Sequence, residues 1–137
     1  MVRILVVDDE PAIRALVARI AQRAGFDVEV ARDGAEAIEK LDAARFGVVI
    51  LDLMMPNVDG YGVIDHVRST GGQHPAIILV SAADNAAVRR VDGEIVHSVI
   101  RKPFDIDVLS DLITAAAESR QTSEAANVLP FRKDEVC

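Results

Sequence analysis

Short apolar runs rich in β-branched residues alternate along the chain with segments of helical periodicity. Residues 4–7 and 46–51 contain no polar position, a pattern typical of strands that are buried on both faces of a parallel sheet. Residues 76–80 form a further apolar run, and residues 27–31 and 95–100 are β-branched segments bounded by turn or helix signals. The pattern therefore predicts five strands.

The segments between the strands carry the start and stop signals of helices. Pro11 suits the first turn of a helix that Gly25 ends, since proline is favoured at the start and glycine just past the end. Asp33 is expected to cap a second helix, with a glutamate three residues later. A third helix is predicted over residues 62–69 and a short fourth one, with a thin apolar face, over residues 84–91.

The last predicted helix begins after Asp105, which can cap it. Its stripe of core-facing residues is expected to be Ile106, Leu109, Ile113 and Ala116. From Ser119 onward the apolar rhythm fails and most residues are polar. We therefore expect one domain over residues 1–120, followed by a polar tail or linker over residues 121–137 that is disordered.

Regular alternation of strands and helices is typical of an α/β fold with a parallel sheet covered on both faces. Right-handed crossover connections leave few arrangements of such a chain. The sequence accordingly predicts a doubly wound, five-stranded parallel sheet with strand order 2-1-3-4-5.

Composition narrows the classes of function. The net charge is −7, from 22 acidic and 15 basic residues, so we expect no direct binding of nucleic acid by this chain. No apolar run reaches the roughly 18 residues of a membrane span, and the N-terminus lacks the residue order of a secretory signal. Cys137 is the only cysteine and cannot form an internal disulfide. We therefore expect no membrane partner and a cytoplasmic location.

Four of the five predicted strands end in residues able to do chemistry. They are Asp8 and Asp9 after the first strand, Asp52 after the third, Ser81 after the fourth and Lys102 after the fifth. Each residue alone is commonly a helix cap, a turn residue or a solvated surface group. In an open parallel sheet, however, the carboxyl ends of the strands line one ligand-binding crevice. The sequence thus predicts a pocket of three carboxylates, a hydroxyl and an ammonium.

Three neighbouring carboxylates repel one another unless a cation lies among them. Mg²⁺ suits this pocket because it prefers oxygen ligands and is usually held together with substrate phosphates. A carboxylate such as Asp52 can attack phosphorus and form an acyl phosphate. Lys102 and Ser81 could then stabilise the charge on the transferred group.

Residues 2–118 resemble the receiver domains of response regulators in the order and spacing of four motifs. The motifs are Val6-Val7-Asp8-Asp9-Glu10-Pro11, Leu51-Asp52-Leu53-Met54-Met55-Pro56 with Asp59-Gly60, Val80-Ser81-Ala82, and Lys102-Pro103-Phe104. Each motif alone is weak, but the four together are specific. The resemblance implies the flavodoxin-like receiver fold.

The resemblance also implies a function in two-component signalling. Asp52 would accept a phosphoryl group from a histidine kinase or a phosphotransfer protein, in a Mg²⁺-dependent reaction, and the domain would then switch conformation to signal to a downstream protein. Such a domain is not a conventional enzyme, although it catalyses its own phosphorylation and dephosphorylation. A phosphorylation-dependent homodimer is a further expectation.

The resemblance assigns a role to each pocket residue. Mg²⁺ would be bound directly by Asp9, Asp52 and the main-chain carbonyl of Met54, and through water by Asp8. Ser81 and Lys102 would contact the phosphoryl group. The family also places a cis peptide bond after the lysine, here between Lys102 and Pro103.

Two features depart from the family pattern. Val99 occupies a position, three residues before the lysine, that is usually aromatic, and residues 91–94 replace a common Gly-Ala-Asp turn. Because a β-branched valine has few side-chain conformers, we expect the signal to pass through the backbone of residues 82–94 instead of through Val99.

Three other functions are alternatives for a chain of this fold. A flavodoxin-like cofactor binder would need donor groups after the first strand, where Asp8-Asp9-Glu10 offers acceptors. A phosphatase using Asp52 would need a substrate cap, which the sequence does not suggest. A pseudo-receiver that no longer uses phosphate is the remaining alternative. His66, His74 and His97 lack metal-ligand spacing and are expected to be structural or solvated.

Overall fold

The computed structural model describes residues 2–55, 59–70, 74–82 and 95–128, and only the main chain from residue 120 onward. Its strands are β1 (Arg3–Val7), β2 (Asp27–Ala31), β3 (Val48–Leu51), β4 (Ala76–Ser81) and β5 (Val96–Arg101). All neighbouring strands pair in parallel, in the order β2-β1-β3-β4-β5. The predicted fold class and strand order are confirmed.

The described helices are α1 (Pro11–Arg23), α2 (Gly34–Ala43), α3 (Gly60–Ser69) and α4 (Ile106–Val128). Gly25 follows α1 with φ of 99°, a left-handed conformation that glycine adopts without strain. The side chain of Asp33 accepts a hydrogen bond from the main-chain N–H of Glu36, as predicted. The helix predicted over residues 84–91 lies outside the described residues.

Two apolar cores lie on opposite faces of the sheet because successive strand residues point to alternate sides. Ile4 and Val6 of β1 belong to the core under α1 and α4. Leu5 and Val7 belong to the core under α2 and α3. The uninterrupted apolar runs of the central strands follow from this two-sided burial.

The last helix differs from its prediction at both ends. Leu109, Ile113 and Ala116 are buried as expected, but Ile106 is 52% exposed. Its predicted place in the core stripe is wrong because Phe104, just before the helix, makes the apolar contact at this end. At the other end the helix continues through Val128, past Ser119, where the apolar rhythm of the sequence fails. Elongation of an anchored helix is favourable for alanine, glutamate and glutamine; the domain boundary at residue 120 stays a prediction.

None of the helices in the described ranges combines the length and apolar character needed to cross a lipid bilayer.

The strand register brings the ends of the central strands level with one another. Val7 of β1 pairs with Leu51 of β3, so the next residue of each strand is an aspartate. The main-chain N–H of Asp52 then donates to the carbonyl of Val7 at 3.0 Å. Between the ends of β5 and β4, the N–H of Lys102 donates to the carbonyl of Ser81 at 3.1 Å. Main-chain bonds therefore continue past the strands and hold the polar residues together.

Candidate functional site

Asp8, Asp52 and Lys102 form a buried ion-pair cluster at the carboxyl edge of the sheet. The ammonium of Lys102 lies 3.1 Å from Oδ2 of Asp8 and 3.4 Å from Oδ2 of Asp52. Both carboxylates are almost completely buried, and Lys102 is mostly so. One cation thus faces two anions in a region where little water can screen their charges.

Asp9 adds a third carboxylate to this cluster from the solvent side. Oxygens of Asp8, Asp9 and Asp52 all lie within 4.8 Å of one another, although Asp9 is exposed. The described residues give the Asp9 carboxylate no hydrogen bond. Three carboxylate oxygens so close together form an oxygen donor set that fits a hard divalent cation such as Mg²⁺.

The electrostatics of the cluster are most evident at Asp52. Burial raises the pKa of Asp52 from 3.8 to about 6. Lys102 lowers this pKa, the negative charge of Asp8 raises it, and a main-chain hydrogen bond from Met54 lowers it. Burial also disfavours the charged form of Lys102, but Asp8 and Asp52 together outweigh it and raise the lysine's pKa. The two carboxylates therefore hold Lys102 in its charged form.

Local turns orient the two buried carboxylates. Oδ1 of Asp8 accepts a hydrogen bond from the main-chain N–H of Glu10 at 2.9 Å. Oδ1 of Asp52 accepts one from the N–H of Met54 at 3.2 Å. Each aspartate thus has one oxygen tied to its own loop while the other oxygen faces Lys102. This i to i+2 bond is the usual way in which aspartate orders a turn.

The start of α3 lies directly against the main chain at Asp52. The N–H of Gly60 donates to the carbonyl of Leu53 at 2.8 Å. A Cβ atom at Gly60 would lie 2.6 Å from Cα of Leu53 and 2.9 Å from the carbonyl oxygen of Asp52. Only glycine fits this close approach. Asp59 caps the helix by accepting from the N–H of Gly62.

The other predicted site residues are placed in different ways. Ser81 is buried at the end of β4, where its carbonyl binds the main chain of Lys102. The Met54 side chain is exposed, and no contact tests the predicted role of its carbonyl. The Lys102–Pro103 peptide bond is cis, as predicted. Val99 lies exposed on β5. Residues 82–94 are predicted to transmit the signal in place of Val99, and residues 83–94 of this segment lie outside the described residues.

Sequence reasoning missed one residue beside the site. Nη1 of Arg14, on α1, donates to the main-chain carbonyl of Asp8 at 2.9 Å. The spacing of six residues was visible in the sequence, but a basic residue on an amphipathic helix ordinarily indicates a solvated face. Among the described residues no histidine belongs to a potential metal cluster.

The arrangement places a buried carboxylate beside both an oxygen donor set and a fixed ammonium group. Asp52 can act as a nucleophile toward an electrophilic phosphorus centre. Lys102 can stabilise the negative charge of the transferred group, and the buried position limits screening by water. In this chemistry the carboxylate itself is the nucleophile.

Comparisons with known sequences give a family and two similar proteins. A family model described as "Response regulator receiver domain" matches residues 4–114. The "Response regulator MprA" of Mycobacterium bovis (strain BCG / Pasteur 1173P2) is 36% identical over 133 residues, which are 96% of this chain and 57% of that protein. The "Transcriptional regulatory protein TrcR" of Mycobacterium tuberculosis is 39% identical over 110 residues, 79% of this chain and 42% of that protein. The chain thus spans about half the length of these curated relatives.

Solved structures give a consistent picture. A CheY-like receiver domain protein from Methanospirillum hungatei superposes with a TM-score of 0.81 at 22% identity, covering 90% of this chain and 98% of that one, which bears on the fold alone. The response regulator TrrA from Thermotoga maritima, solved in complex with Mg²⁺-BeF, has a TM-score of 0.76 at 32% identity. That match covers 85% of this chain and 99% of that one.

Proposed function

This chain belongs to the family of response regulator receiver domains, and from that premise we propose that Asp52 is the residue that accepts the phosphoryl group. The observation that carries the proposal is the buried Asp52 carboxylate, which faces Lys102 and lies beside Asp8 and Asp9. Asp8 and Asp9 come from a different strand end than Asp52, so the cluster is a product of the fold.

The proposed reaction is a simple transfer between two nucleophiles. A carboxylate oxygen of Asp52 forms a bond to phosphorus while the bond between phosphorus and the donor's leaving atom breaks. The leaving atom keeps the electron pair and takes up a proton, and Asp52 becomes an acyl phosphate. Because its pKa is about 6, Asp52 is mainly ionised at neutral pH and able to attack.

Three of the chain's own residues, Asp8, Asp9 and Asp52, would hold Mg²⁺, because their carboxylate oxygens lie within 4.8 Å of one another. The predicted details are direct bonds from Asp9, Asp52 and the Met54 carbonyl, with Asp8 acting through water. When bound, Mg²⁺ supplies positive charge to the phosphoryl oxygens. The complex of TrrA with Mg²⁺-BeF supports the same ion for this chain.

The ammonium of Lys102 and the hydroxyl of Ser81 have the remaining roles. Lys102, already charged and close to Asp52, would bind a phosphoryl oxygen and stabilise its negative charge. Ser81, buried at the end of β4, would donate a hydrogen bond to the same group. The pocket would thereby catalyse its own phosphorylation. Attack of water on phosphorus would later break the bond to the Asp52 oxygen, release inorganic phosphate and restore the carboxylate.

The domain's partners follow from this chemistry and from its family. The donor would be a histidine kinase or a phosphotransfer protein of a two-component system, and the phosphorylated domain would signal to a downstream protein. The donor reaction and the output both suit a cytoplasmic location. A phosphorylation-dependent homodimer is compatible with these roles and stays a prediction.

The acceptor assignment is tested by incubating the protein with acetyl phosphate and Mg²⁺. We expect the wild-type protein to gain one phosphoryl group by intact mass, and Asp52→Asn to gain none. Asp9→Ala should lose the Mg²⁺ dependence and most of the rate. Asp42→Asn is the matched control, because Asp42 is exposed and pairs with His66 instead of with the acidic pocket, and this variant should label like the wild type.

Mg²⁺ should also raise the melting temperature of the wild-type protein, since a ligand that binds only the folded state stabilises it. Labelling of Asp52→Asn at the wild-type level would overturn the acceptor assignment. A melting curve that millimolar Mg²⁺ leaves unchanged would overturn the metal site.

A further inference from the structure

The three carboxylates of the pocket are not held in place equally well. Asp8 is bound by Lys102 and by the N–H of Glu10. Asp52 is bound by Lys102 and by the N–H of Met54. Asp9 is exposed and, among the described residues, its carboxylate accepts no hydrogen bond. The direction of the Asp9 side chain therefore depends on its own main chain.

The main chain before Asp9 is held by a residue on α1. The carbonyl of Asp8 belongs to the peptide group that links Asp8 to Asp9, so its orientation sets where the Asp9 side chain begins. Nη1 of Arg14 donates to this carbonyl at 2.9 Å, in a partly buried contact. The N–H of Asp8, on the other side of the residue, is held by the carbonyl of Ala31 in β2.

We propose that Arg14 is a positioning residue of the acidic pocket, which fixes the Asp8–Asp9 peptide so that the Asp9 carboxylate faces Asp8 and Asp52. This inference rests on the proposed function, because it assigns Arg14 a role in Mg²⁺ binding. Arg14 is not itself a ligand. It acts through a single main-chain oxygen, as the outer partners of metal ligands do.

Positioning and simple electrostatics predict opposite results when Arg14 is replaced. A guanidinium near the pocket repels a divalent cation, so removal of its charge alone would tighten Mg²⁺ binding. Loss of the bond to the Asp8 carbonyl would instead let the Asp9 carboxylate turn away and weaken binding. The sign of the change in affinity therefore separates the two explanations.

The substitutions are Arg14→Met, which keeps much of the apolar stem and removes the donors, and Arg14→Lys, which keeps the charge but not the planar fork. Arg19→Met is the matched control, because Arg19 is an exposed arginine on the same helix. Mg²⁺ affinity is measured by calorimetry on each full chain. Amide exchange of residues 9 and 10 is measured in chelator, without any metal.

We expect Arg14→Met to weaken Mg²⁺ binding about tenfold, as loss of an outer partner of a metal ligand typically does, and to speed amide exchange at residues 9 and 10. Arg14→Lys should fall between Arg14→Met and the wild type, and Arg19→Met should bind Mg²⁺ no more weakly than the wild type. The rate of labelling by acetyl phosphate should need more Mg²⁺ in Arg14→Met and recover when Mg²⁺ is saturating.

Unchanged or tighter Mg²⁺ binding by Arg14→Met, relative to Arg19→Met, would overturn the positioning role. If Arg14→Met does not fold, Arg14→Lys decides: wild-type affinity and wild-type amide exchange in that variant would overturn the proposal. Failure of the wild-type protein to bind Mg²⁺ at all would instead overturn the metal site of the proposed function. The two failures are therefore distinguishable.

Discussion

Each end of the sheet carries basic and acidic side chains in contact, three groups at the carboxyl end and two at the amino end, in different surroundings. At the carboxyl end, Lys102 is 16% exposed, and its partners Asp8 and Asp52 are 5% and 7% exposed. At the amino end, His66 binds Asp42 at 2.8 Å across α2 and α3, and these side chains are 24% and 60% exposed. Both sets of groups have short contacts, so distance does not distinguish them.

The difference lies in what water does at each end. Water solvates Asp42 and screens its contact with His66, so that pair adds little to stability. At the carboxyl end the charges have lost most of their hydration, and the three groups depend on one another. Burial disfavours the ionised form of Asp52, so the charged cluster costs stability. Under the proposed function, the same burial strengthens the attraction of the carboxylates for a cation, because little water screens their charges.

The amino end also contains a cavity of about 390 Å³ beside the same pair. It is lined by His66 and His74, and Nδ1 of His74 is buried there with no hydrogen-bond partner among the residues that the structure describes. The cavity contains no residue of the acidic pocket. This cavity and the buried cluster of Asp8, Asp52 and Lys102 are therefore separate features of the molecule.

The largest expected effect comes from removing the one cation of the buried cluster. Lys102→Met should lower the free energy of unfolding at pH 7.5, in chelator, by about 3 to 5 kcal/mol, because Asp8 and Asp52 would be left buried without a counter-charge. Urea denaturation measures this loss. At pH 4, where Asp52 is mostly protonated, the loss should be smaller, because one of the two carboxylates that face Lys102 is then neutral. An equal loss at both pH values would mean that packing of the lysine stem, not its charge, matters.

The next effect has the opposite sign. The pKa of Asp52 is about 6 in the folded protein and 3.8 ordinarily, so the folded state binds the proton more tightly. The stabilisation from this proton is complete below about pH 3.8 and is lost as the pH rises through 6. A rise in pKa from 3.8 to about 6 corresponds to roughly 3 kcal/mol at most.

Asp52→Asn cannot ionise, so in chelator at pH 7.5 it should be about 2 to 3 kcal/mol more stable than the wild type. Below pH 4 the two proteins should differ little. Denaturant unfolding across this pH range is the measurement. If the free energy of unfolding depends on pH in the same way for both proteins, the pKa of Asp52 is not raised by folding.

The smallest effect is expected for the same substitution at the other end. Asp42→Asn should lower the free energy of unfolding by about 0.5 kcal/mol or less, since the pair with His66 is largely solvated. Thermal denaturation of Asp42→Asn and of the wild type, at pH 6 and pH 8, measures this loss of stability. A loss comparable to the Lys102→Met effect would remove the contrast between the two ends.

Much of the fold was predictable because it depends on local periodicity. Uninterrupted apolar runs indicated central strands, and β3 and β4 are buried throughout. Ile106 was wrongly assigned to the core, since helical spacing does not show that Phe104 occupies that end of the contact. The helix through Val128 was missed for a related reason: loss of an apolar stripe indicates loss of burial, not the end of a helix.

The sequence by itself determined which chemical groups this protein has at the carboxyl ends of its strands, because strand ends and parallel order follow from local patterns and connection rules. Only the tertiary structure decided how those groups differ. Asp8 and Asp9 are neighbours in the chain, yet one is buried beside Lys102 and the other is exposed. Asp8 and Lys102 are 94 residues apart, so their 3.1 Å contact depends on register and packing across the whole sheet. Periodicity encodes the face of an element, whereas distances between elements arise only when all of them pack together.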